Sequence, residues 1–319
     1  MRLIGLSAVL LGLLGVGAAA PADAPIHALD WLAPGTDPVA AVTQAPPECL
    51  AVPADVEAAY EVEAGRLLFR SPLLLGGQAA RHGLTCQACH INGRGNPHFF
   101  IEGISGRPGT VDVTSSIFSE VRGDGTLNPV PIPSLVDAGS RTAYGHEGKV
   151  RSLAQFVRSV IMDEFAGGEP DSHAFDAVIA YVRALKSDAC PAETSQPVTL
   201  ATYEDDVERG FGALRNAVTR GDGKTADALI LALQSRLGEI HERYANAGLE
   251  GSAARLAAVG RALGDLRKAV RADAETLHWQ MTVWYQNWSD LKPQLEAQEA
   301  ESLFNPVVLR AMLTKGETE

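Results

Sequence analysis

The residue types best suited to chemistry lie in one short stretch, GLTCQACHINGRGNPHF, from Gly83 to Phe99. Cys86 and Cys89 are three positions apart, so one turn places both thiols on the same side, and His90 follows directly. Thiols at this spacing can form thioethers with the vinyl groups of one haem while the adjacent imidazole binds the iron. The pattern predicts one covalent haem c, attached through Cys86 and Cys89 with His90 as proximal ligand.

Two other uses of a CxxC pair fit the sequence less well. A zinc site needs two further ligands, usually a second CxxC or a pair of histidines, and neither pattern is present in the sequence. A redox-active CxxC normally begins a helix after a strand and lacks the histidine that follows here.

The other two cysteines, Cys49 and Cys190, stand alone on either side of the haem motif. In an exported protein, an isolated pair of this kind is more often bridged than free. We therefore expect a disulfide that marks the two edges of one domain, with two free structural thiols as the alternative.

The start of the chain is typical of a secretory signal peptide, residues 1–22. Arg2 precedes an apolar run, Leu3 to Gly17, that is shorter than a membrane span and leads into small residues, with cleavage expected near residues 19–22. Residues 23–52 are rich in Ala and Pro and are expected to form a linker or a strap on the domain. We expect a periplasmic or secreted protein with no membrane span in the mature chain.

The charge of the chain bears on its partners. Of 319 residues, 27 are Lys or Arg and 39 are Asp or Glu, a formal net charge of −12. This balance argues against nucleic acid or an anionic membrane surface as a target. It favours a basic periplasmic redox protein as the partner.

Helical periodicity supports a cytochrome c domain at residues 53–192. An apolar stripe begins at Tyr60, Ser152 has the pattern of a helix cap, and HAFDAVIAYVRALK forms a closing amphipathic helix. Residues 92–140 have the composition of loops. So long an irregular segment is uncommon in a compact domain unless it wraps something, and a haem is a body of suitable size.

Three runs follow one another between about residues 61 and 186: GRLLFRSPLLLGG, then LTCQACH, then NPVPIPSLVDAGSRTAYGHEGKVRSLAQFV. In this order they resemble a haem domain of the bacterial di-haem cytochrome c peroxidase family. The resemblance implies a mostly helical cytochrome c fold in which Cys86 and Cys89 attach the haem and His90 is the proximal ligand. Members of that family typically carry two CxxCH motifs. This chain has one, so a self-contained two-haem peroxidase cycle is not available to it.

The sixth iron ligand separates electron transfer from ligand chemistry. The resemblance places an axial methionine near the end of the helix containing SLAQFV, which makes Met162 the candidate, with ordinary packing as the alternative. In a continuous helix Met162 points opposite Leu153, so either a second face meets the haem or the helix ends before MDEFAGG.

His146 matches the family's turn histidine, which lies beside the haem cavity. In that position it could be an acid/base group, a hydrogen-bond partner or a replacement ligand, and the alternative is a surface histidine with no special role. His98 is a weaker candidate for these roles, and Arg94 for pairing with a haem propionate.

Residues 193–319 show no family resemblance, and four apolar stripes predict an antiparallel helical bundle. Trp279, Trp284 and Trp288 are hypothesised to form a docking face for a redox partner. The stripes are Val207, Phe211, Leu214 and Val218; Leu229, Leu233, Leu237, Ile240 and Tyr244; Leu256, Val259, Leu263, Leu266 and Val270; and Leu277, Met281, Trp284, Trp288 and Leu291.

The sequence thus predicts a mainly α protein, a cytochrome c-like haem domain followed by an α-helical bundle domain. The favoured function is a mono-haem electron carrier in which His90 and Met162 saturate the iron. The alternative is a peroxidase-like enzyme or small-ligand sensor with an open iron, where His146, helped by Glu147, moves protons. A third option makes the haem module an accessory to a bundle that binds another protein. The single haem motif favours the carrier.

Overall fold

The computed structural model describes residues 26–118, 121–246 and 248–316, and it is mainly α-helical, as the sequence predicts. The predicted signal peptide, residues 1–22, lies outside the described residues. Within them, no helix combines the length and the apolar character needed to cross a membrane. The α-helices in this part of the chain are α1 Pro38–Thr43, α2 Val56–Phe69, α3 Gly77–Arg81, α4 Cys86–Cys89, α5 Leu153–Ser159, α6 Ser172–Ala184, α7 Leu200–Thr219, α8 Gly223–Arg243, α9 Glu250–Arg271, α10 Leu277–Gln298 and α11 Pro306–Gly316.

Helices α2 and α6 pack directly against each other in the half of the chain that contains the haem motif. Asp55 caps the N-terminus of helix α2, and its carboxylate accepts a hydrogen bond from the Ala58 backbone N–H at 2.9 Å. At the crossing point, a Cβ on Gly65 would lie 1.9 Å from the carbonyl oxygen of Ala177. Only glycine permits so close an approach, so this residue sets the distance between the two helices.

The strands of the described chain form two short antiparallel pairs. β1 Gln44–Ala45 pairs with β4 Gln196–Pro197, and β2 Thr110–Val111 pairs with β3 Val130–Pro131. The second pair and a few 3₁₀ turns are the only regular structure that the described residues show between α4 and α5. The irregular character predicted for this region is confirmed.

The N-terminal segment, residues 26–52, contacts both halves of the protein. Its Cys49 is bonded to Cys190 with an S–S distance of 2.07 Å, so the predicted disulfide is confirmed. Helix α1 packs against α11 at the other end of the chain. The apolar side chains buried between them and their flanking residues are Ile26, Val39, Val42, Leu303 and Leu309.

Helices α7 to α10 are the four amphipathic helices that the sequence predicts, joined by short turns. Helix α8 packs against α7 and α9, and α10 packs against α9. All side chains of the four predicted stripes are buried except Val218 and Val270, which are half-buried. Helix α2 also packs on α7, so one apolar core runs through both halves. Helix α11 is a fifth helix that the stripes did not indicate.

The tryptophans of α10 do not form the hypothesised docking face. Trp284 and Trp288 are buried, and their indole N–H groups donate to the Val259 carbonyl at 3.1 Å and the Glu208 carboxylate at 3.0 Å. Trp279 alone of the three is at the surface, 66% exposed. The helical spacing that places Trp284 and Trp288 on one face turns that face into the core.

A buried carboxylate joins the two halves. Asp206 of α7 has a side chain only 2% exposed, and its oxygens face three arginines. Arg66 Nη1 lies 2.5 Å away, Arg70 Nε lies 3.7 Å away, and Arg236 Nη2 donates a hydrogen bond. Burial by itself raises the pKa of a carboxyl, but Arg236, Arg70 and Arg66 outweigh burial and hold the pKa of Asp206 well below its usual value.

Replacing this charge is expected to destabilise the protein strongly. Asp206→Asn keeps the shape but leaves three arginines facing a neutral group, and breaking a buried ion pair costs about 3–5 kcal/mol in the free energy of unfolding. Asp205→Asn is the matched control, since the Asp205 side chain is 47% exposed and such surface pairs contribute about 0–1 kcal/mol. Urea unfolding of both variants measures the difference. Equal stability of the two variants would contradict the account.

Glu204, also on α7, is a buried carboxylate whose hydrogen-bonding capacity is not fully used. It is 6% exposed, and its Oε1 has no hydrogen-bond partner among the residues described. Burial raises the pKa of Glu204 to about 7, Lys292 opposes the rise, and the Glu296 and Glu299 carboxylates add to it. The folded protein therefore favours the protonated form of this side chain.

A pH-dependent stability follows from that raised pKa. The ordinary value is 4.5, so the stabilisation by the protonated form is fully present below about pH 4.5 and is lost as the pH rises through 7. Glu204→Gln mimics the protonated form, so we expect a gain of about 1–3 kcal/mol at pH 8 and little change at pH 5. The exposed Glu102→Gln is the control and should show no such difference. A gain at pH 5 as large as at pH 8 would refute the assignment.

Candidate haem-attachment site

The CQAC turn is a single turn of helix, α4, with both ends satisfied. The Thr85 hydroxyl accepts a hydrogen bond from Ala88 N at 3.0 Å, and His90 N donates to Cys86 O at 2.8 Å. Residues three apart on a helix share a face, so the two thiols lie together. Neither Cys86 nor Cys89 is in a disulfide, and both are half-buried.

The imidazole of His90 is held in one tautomer. Its Nδ1 lies 3.0 Å from the carbonyl oxygen of Pro133, and a carbonyl can only accept, so Nδ1 carries the hydrogen. Burial lowers the pKa of His90 to about 4, although the bond to Pro133 opposes the shift. The ring is therefore neutral at pH 7, with the lone pair on Nε2. This is the form in which histidine binds a metal ion.

The turn after His90 is fixed by Asn92. Its backbone has a φ of 51°, a left-handed conformation that asparagine tolerates better than most residues. Its Oδ1 accepts from Arg70 Nη2 at 3.1 Å and from Gln87 Nε2 at 3.0 Å, and its Nδ2 donates to Pro46 O at 2.8 Å. These bonds tie the motif to Arg70 and so to the buried Asp206.

The helix that leads to Met162 does not continue in register. The predicted cap is confirmed, since the Ser152 hydroxyl accepts from Gln155 N at 3.3 Å, but α5 ends at Ser159 and a π-helical turn covers Val160–Glu164. The phase of α5 therefore does not fix the direction of Met162. This side chain is half-buried and is not among the apolar side chains that pack on the core of the described residues.

Glu164, in the same π turn as Met162, is a site residue that sequence reasoning missed. It is buried, its charge contributes to the raised pKa of both thiols, and Arg122 Nη1 lies 3.3 Å from its carboxylate. Burial raises the pKa of Glu164 to about 7, and Arg122 opposes the rise. The turn that carries Met162 and Glu164 is therefore near enough to Cys86 and Cys89 for the Glu164 charge to act on both thiols. The available signal in the sequence was the pair of acidic residues in VIMDEF.

His146 lies in a surface turn closed by the bridge between Tyr144 and Val150. Both His146 and Glu147 are exposed, and Glu147 is paired with Lys149, which lowers the pKa of that carboxyl. In the part of the chain that the structure describes, no hydrogen bond joins His146 to the haem motif. His146 and Glu147, the pair predicted to move protons, therefore lie side by side at the surface.

The two weaker candidates lie away from the thiols. His98 is exposed and lines a cavity beside α4. The Arg94 guanidinium donates to Pro47 O at 3.3 Å and lies 2.8 Å from Cys49 Sγ and 3.4 Å from Cys190 Sγ. The Arg94 guanidinium is therefore in contact with both sulfur atoms of the disulfide.

The donor set at the motif fits a covalently held haem. Burial raises the pKa of the Cys86 thiol to about 12 and that of Cys89 further, the opposite of the lowered pKa that a redox-active CxxC uses. Among the described residues, no group of three or more His, Cys, Asp or Glu side chains is arranged to hold a metal ion by itself. Beside the motif, Ile132 and Leu135 flank Pro133 and stay half-buried, which leaves apolar surface suited to an apolar macrocycle.

Comparison with known proteins adds no relative. No protein-family model, curated protein or solved structure matches the chain. The resemblance to the di-haem cytochrome c peroxidase family therefore rests on the sequence landmarks alone.

The raised thiol pKa predicts slow alkylation of the haem-free protein. At pH 8 a pKa of about 12, against the ordinary 9.0, makes the reactive thiolate of Cys86 about a thousandfold scarcer. We expect iodoacetamide to modify Cys86 and Cys89 at least about tenfold more slowly in the folded protein than in urea, as followed by mass spectrometry. Equal rates would show that the thiols are not protected by burial.

Proposed function

We propose that this chain is a mono-haem c-type cytochrome of the periplasm that transfers single electrons. The haem is attached through Cys86 and Cys89 in a cytochrome c-like domain spanning residues 53–192. The observation that carries the proposal is the orientation of the His90 imidazole. Its Nδ1–H donates a hydrogen bond to the Pro133 carbonyl and leaves Nε2 for the iron, and the two free thiols of Cys86 and Cys89 come just before it in the chain.

The residues around the motif have separate tasks in this function. When bound, the haem supplies an iron that accepts or donates one electron. The Pro133 carbonyl holds the His90 ring in its tautomer and so orients Nε2. Met162, on the turn beside the thiols, is the proposed sixth ligand, which keeps exogenous ligands off the iron. The buried Arg70–Asn92 bond fixes the turn on which His90 stands.

The partner we propose is a periplasmic redox protein with a basic docking surface. The chain has a formal net charge of −12, so attraction at long range speeds encounter with a basic protein. The Cys49–Cys190 disulfide is compatible with an oxidising compartment.

One observation favours a second candidate, a peroxidase-like enzyme or ligand sensor with an open iron. Glu164 is buried, its charge acts on both thiols, and its pKa of about 7 suits a group that takes up and releases protons near neutral pH. Glu164 would then replace the exposed His146 as the proton carrier. Arg122, 3.3 Å away, would hold the carboxylate in place.

Optical and EPR spectra of the oxidised, haem-loaded protein separate the two candidates. The carrier predicts a low-spin signal that is lost in Met162→Leu, which keeps the volume and removes the sulfur, and that persists in the control His146→Ala. A high-spin signal in the unmodified protein that shifts with cyanide would contradict the carrier. The second candidate then predicts that Glu164→Gln slows reaction with peroxide, while His146→Ala does not.

A further inference from the structure

A cavity lies against α4, where Thr85, Gln87 and Ala88 line it and the two cysteines do not. It has a volume of about 450 Å³, and its other walls come from the N-terminal segment and from helices α7 and α8 of the bundle. Gln87 and Asn92 line it from the haem-motif half, and Tyr203 and Gly238 line it from the bundle. Its size is that of a small-molecule site.

Most of the charges around this cavity are already paired. The Glu239 carboxylate accepts from Arg236 Nη1 at 2.5 Å, and the Glu242 carboxylate contacts the His27 ring. Arg70 donates to Glu48 at 3.1 Å. Each of these side chains therefore already has a polar partner within or behind the cavity wall.

Arg243 is the exception. It lines the cavity and is 3% exposed, yet no carboxylate lies within 4.0 Å of it anywhere in the described chain. Its Nη1 donates to Leu303 O at 3.0 Å and its Nη2 to Val42 O at 2.8 Å, both neutral acceptors. An arginine stays protonated in proteins, and a buried charge without a counter-charge is costly. Arg243 is thus a buried arginine of the cavity wall that has no carboxylate partner among the described residues.

The rest of the wall decides what kind of anion fits. Trp31 and Val198 give the cavity an apolar wall. We propose that this cavity binds a small organic carboxylate, with its apolar or aromatic body against Trp31 and Val198 and its carboxylate at Arg243. A single unpaired arginine matches one negative charge, and the apolar wall matches a hydrocarbon body better than an inorganic anion.

Isothermal titration calorimetry with 2-naphthoate tests the proposal, with 2-naphthamide as the uncharged probe of the same shape. We expect 2-naphthoate to bind with one site per chain and 2-naphthamide to bind at least about tenfold more weakly, the loss of one charge-assisted contact. Equal affinity for the two probes, or binding of neither, would overturn the proposal.

Gly238 offers a matched pair of variants that leave the arginines intact. It lies inside α8, lines the cavity, and a Cβ there would meet no atom within 4 Å. Gly238→Leu should narrow the cavity and weaken naphthoate binding at least about tenfold, while Gly238→Ala should leave the affinity unchanged. Both replacements favour the helix, so folding is preserved. Unchanged binding in Gly238→Leu would place the probe elsewhere and refute the site. The titration does not depend on haem, so its failure is distinguishable from failure of the proposed function.

Discussion

The buried cluster around Asp206 is the interaction on which the arrangement of the two halves depends. Arg66 and Arg70 come from α2 beside the haem motif, whereas Asp206 and Arg236 come from the bundle. A carboxylate or a guanidinium alone at this depth is strongly unfavourable, so the cluster is stable only while both halves are docked. The glycine contact between α2 and α6 and the shared apolar core then set the distances around these charges.

The same cluster also stabilises the turn that follows the haem motif. Arg70 is shared between Asp206, Glu48 and Asn92, and Asn92 shapes the turn that follows His90. The turn after His90 is therefore connected to a carboxylate on the bundle through Arg70, which donates a hydrogen bond to Asn92 and lies 3.7 Å from Asp206 as an ion pair. Helices α7 to α10 accordingly share one apolar core with the haem-motif half. In this account the bundle is structural support for the proposed electron-transfer site, and it also forms one wall of the cavity beside α4.

Local sequence patterns predicted the features that depend on residues close together in the chain. The apolar stripes of α7 to α10 follow from helical periodicity and the Ser152 cap from its capping pattern, and the Cys49–Cys190 pairing was inferred from the predicted export signal. The stripe of α10 placed Trp284 and Trp288 on the core face, where they lie, so the docking face hypothesised for the same tryptophans was wrong. Local patterns could not show the π turn that carries Met162 and Glu164, or a charge cluster in which Arg66 and Asp206 are about 140 residues apart, because both depend on tertiary packing.

The central claim is covalent haem at Cys86 and Cys89, and the intact mass of the mature protein tests it most directly. The protein is produced in a periplasm that contains the cytochrome c maturation machinery, and its mass and pyridine haemochrome spectrum are recorded beside those of the Cys86→Ser, Cys89→Ser double variant. The account predicts a chain heavier than its polypeptide by one haem, with the spectrum of a haem joined by two thioethers, and no added mass in the variant. A wild-type mass equal to that of the polypeptide alone would contradict it.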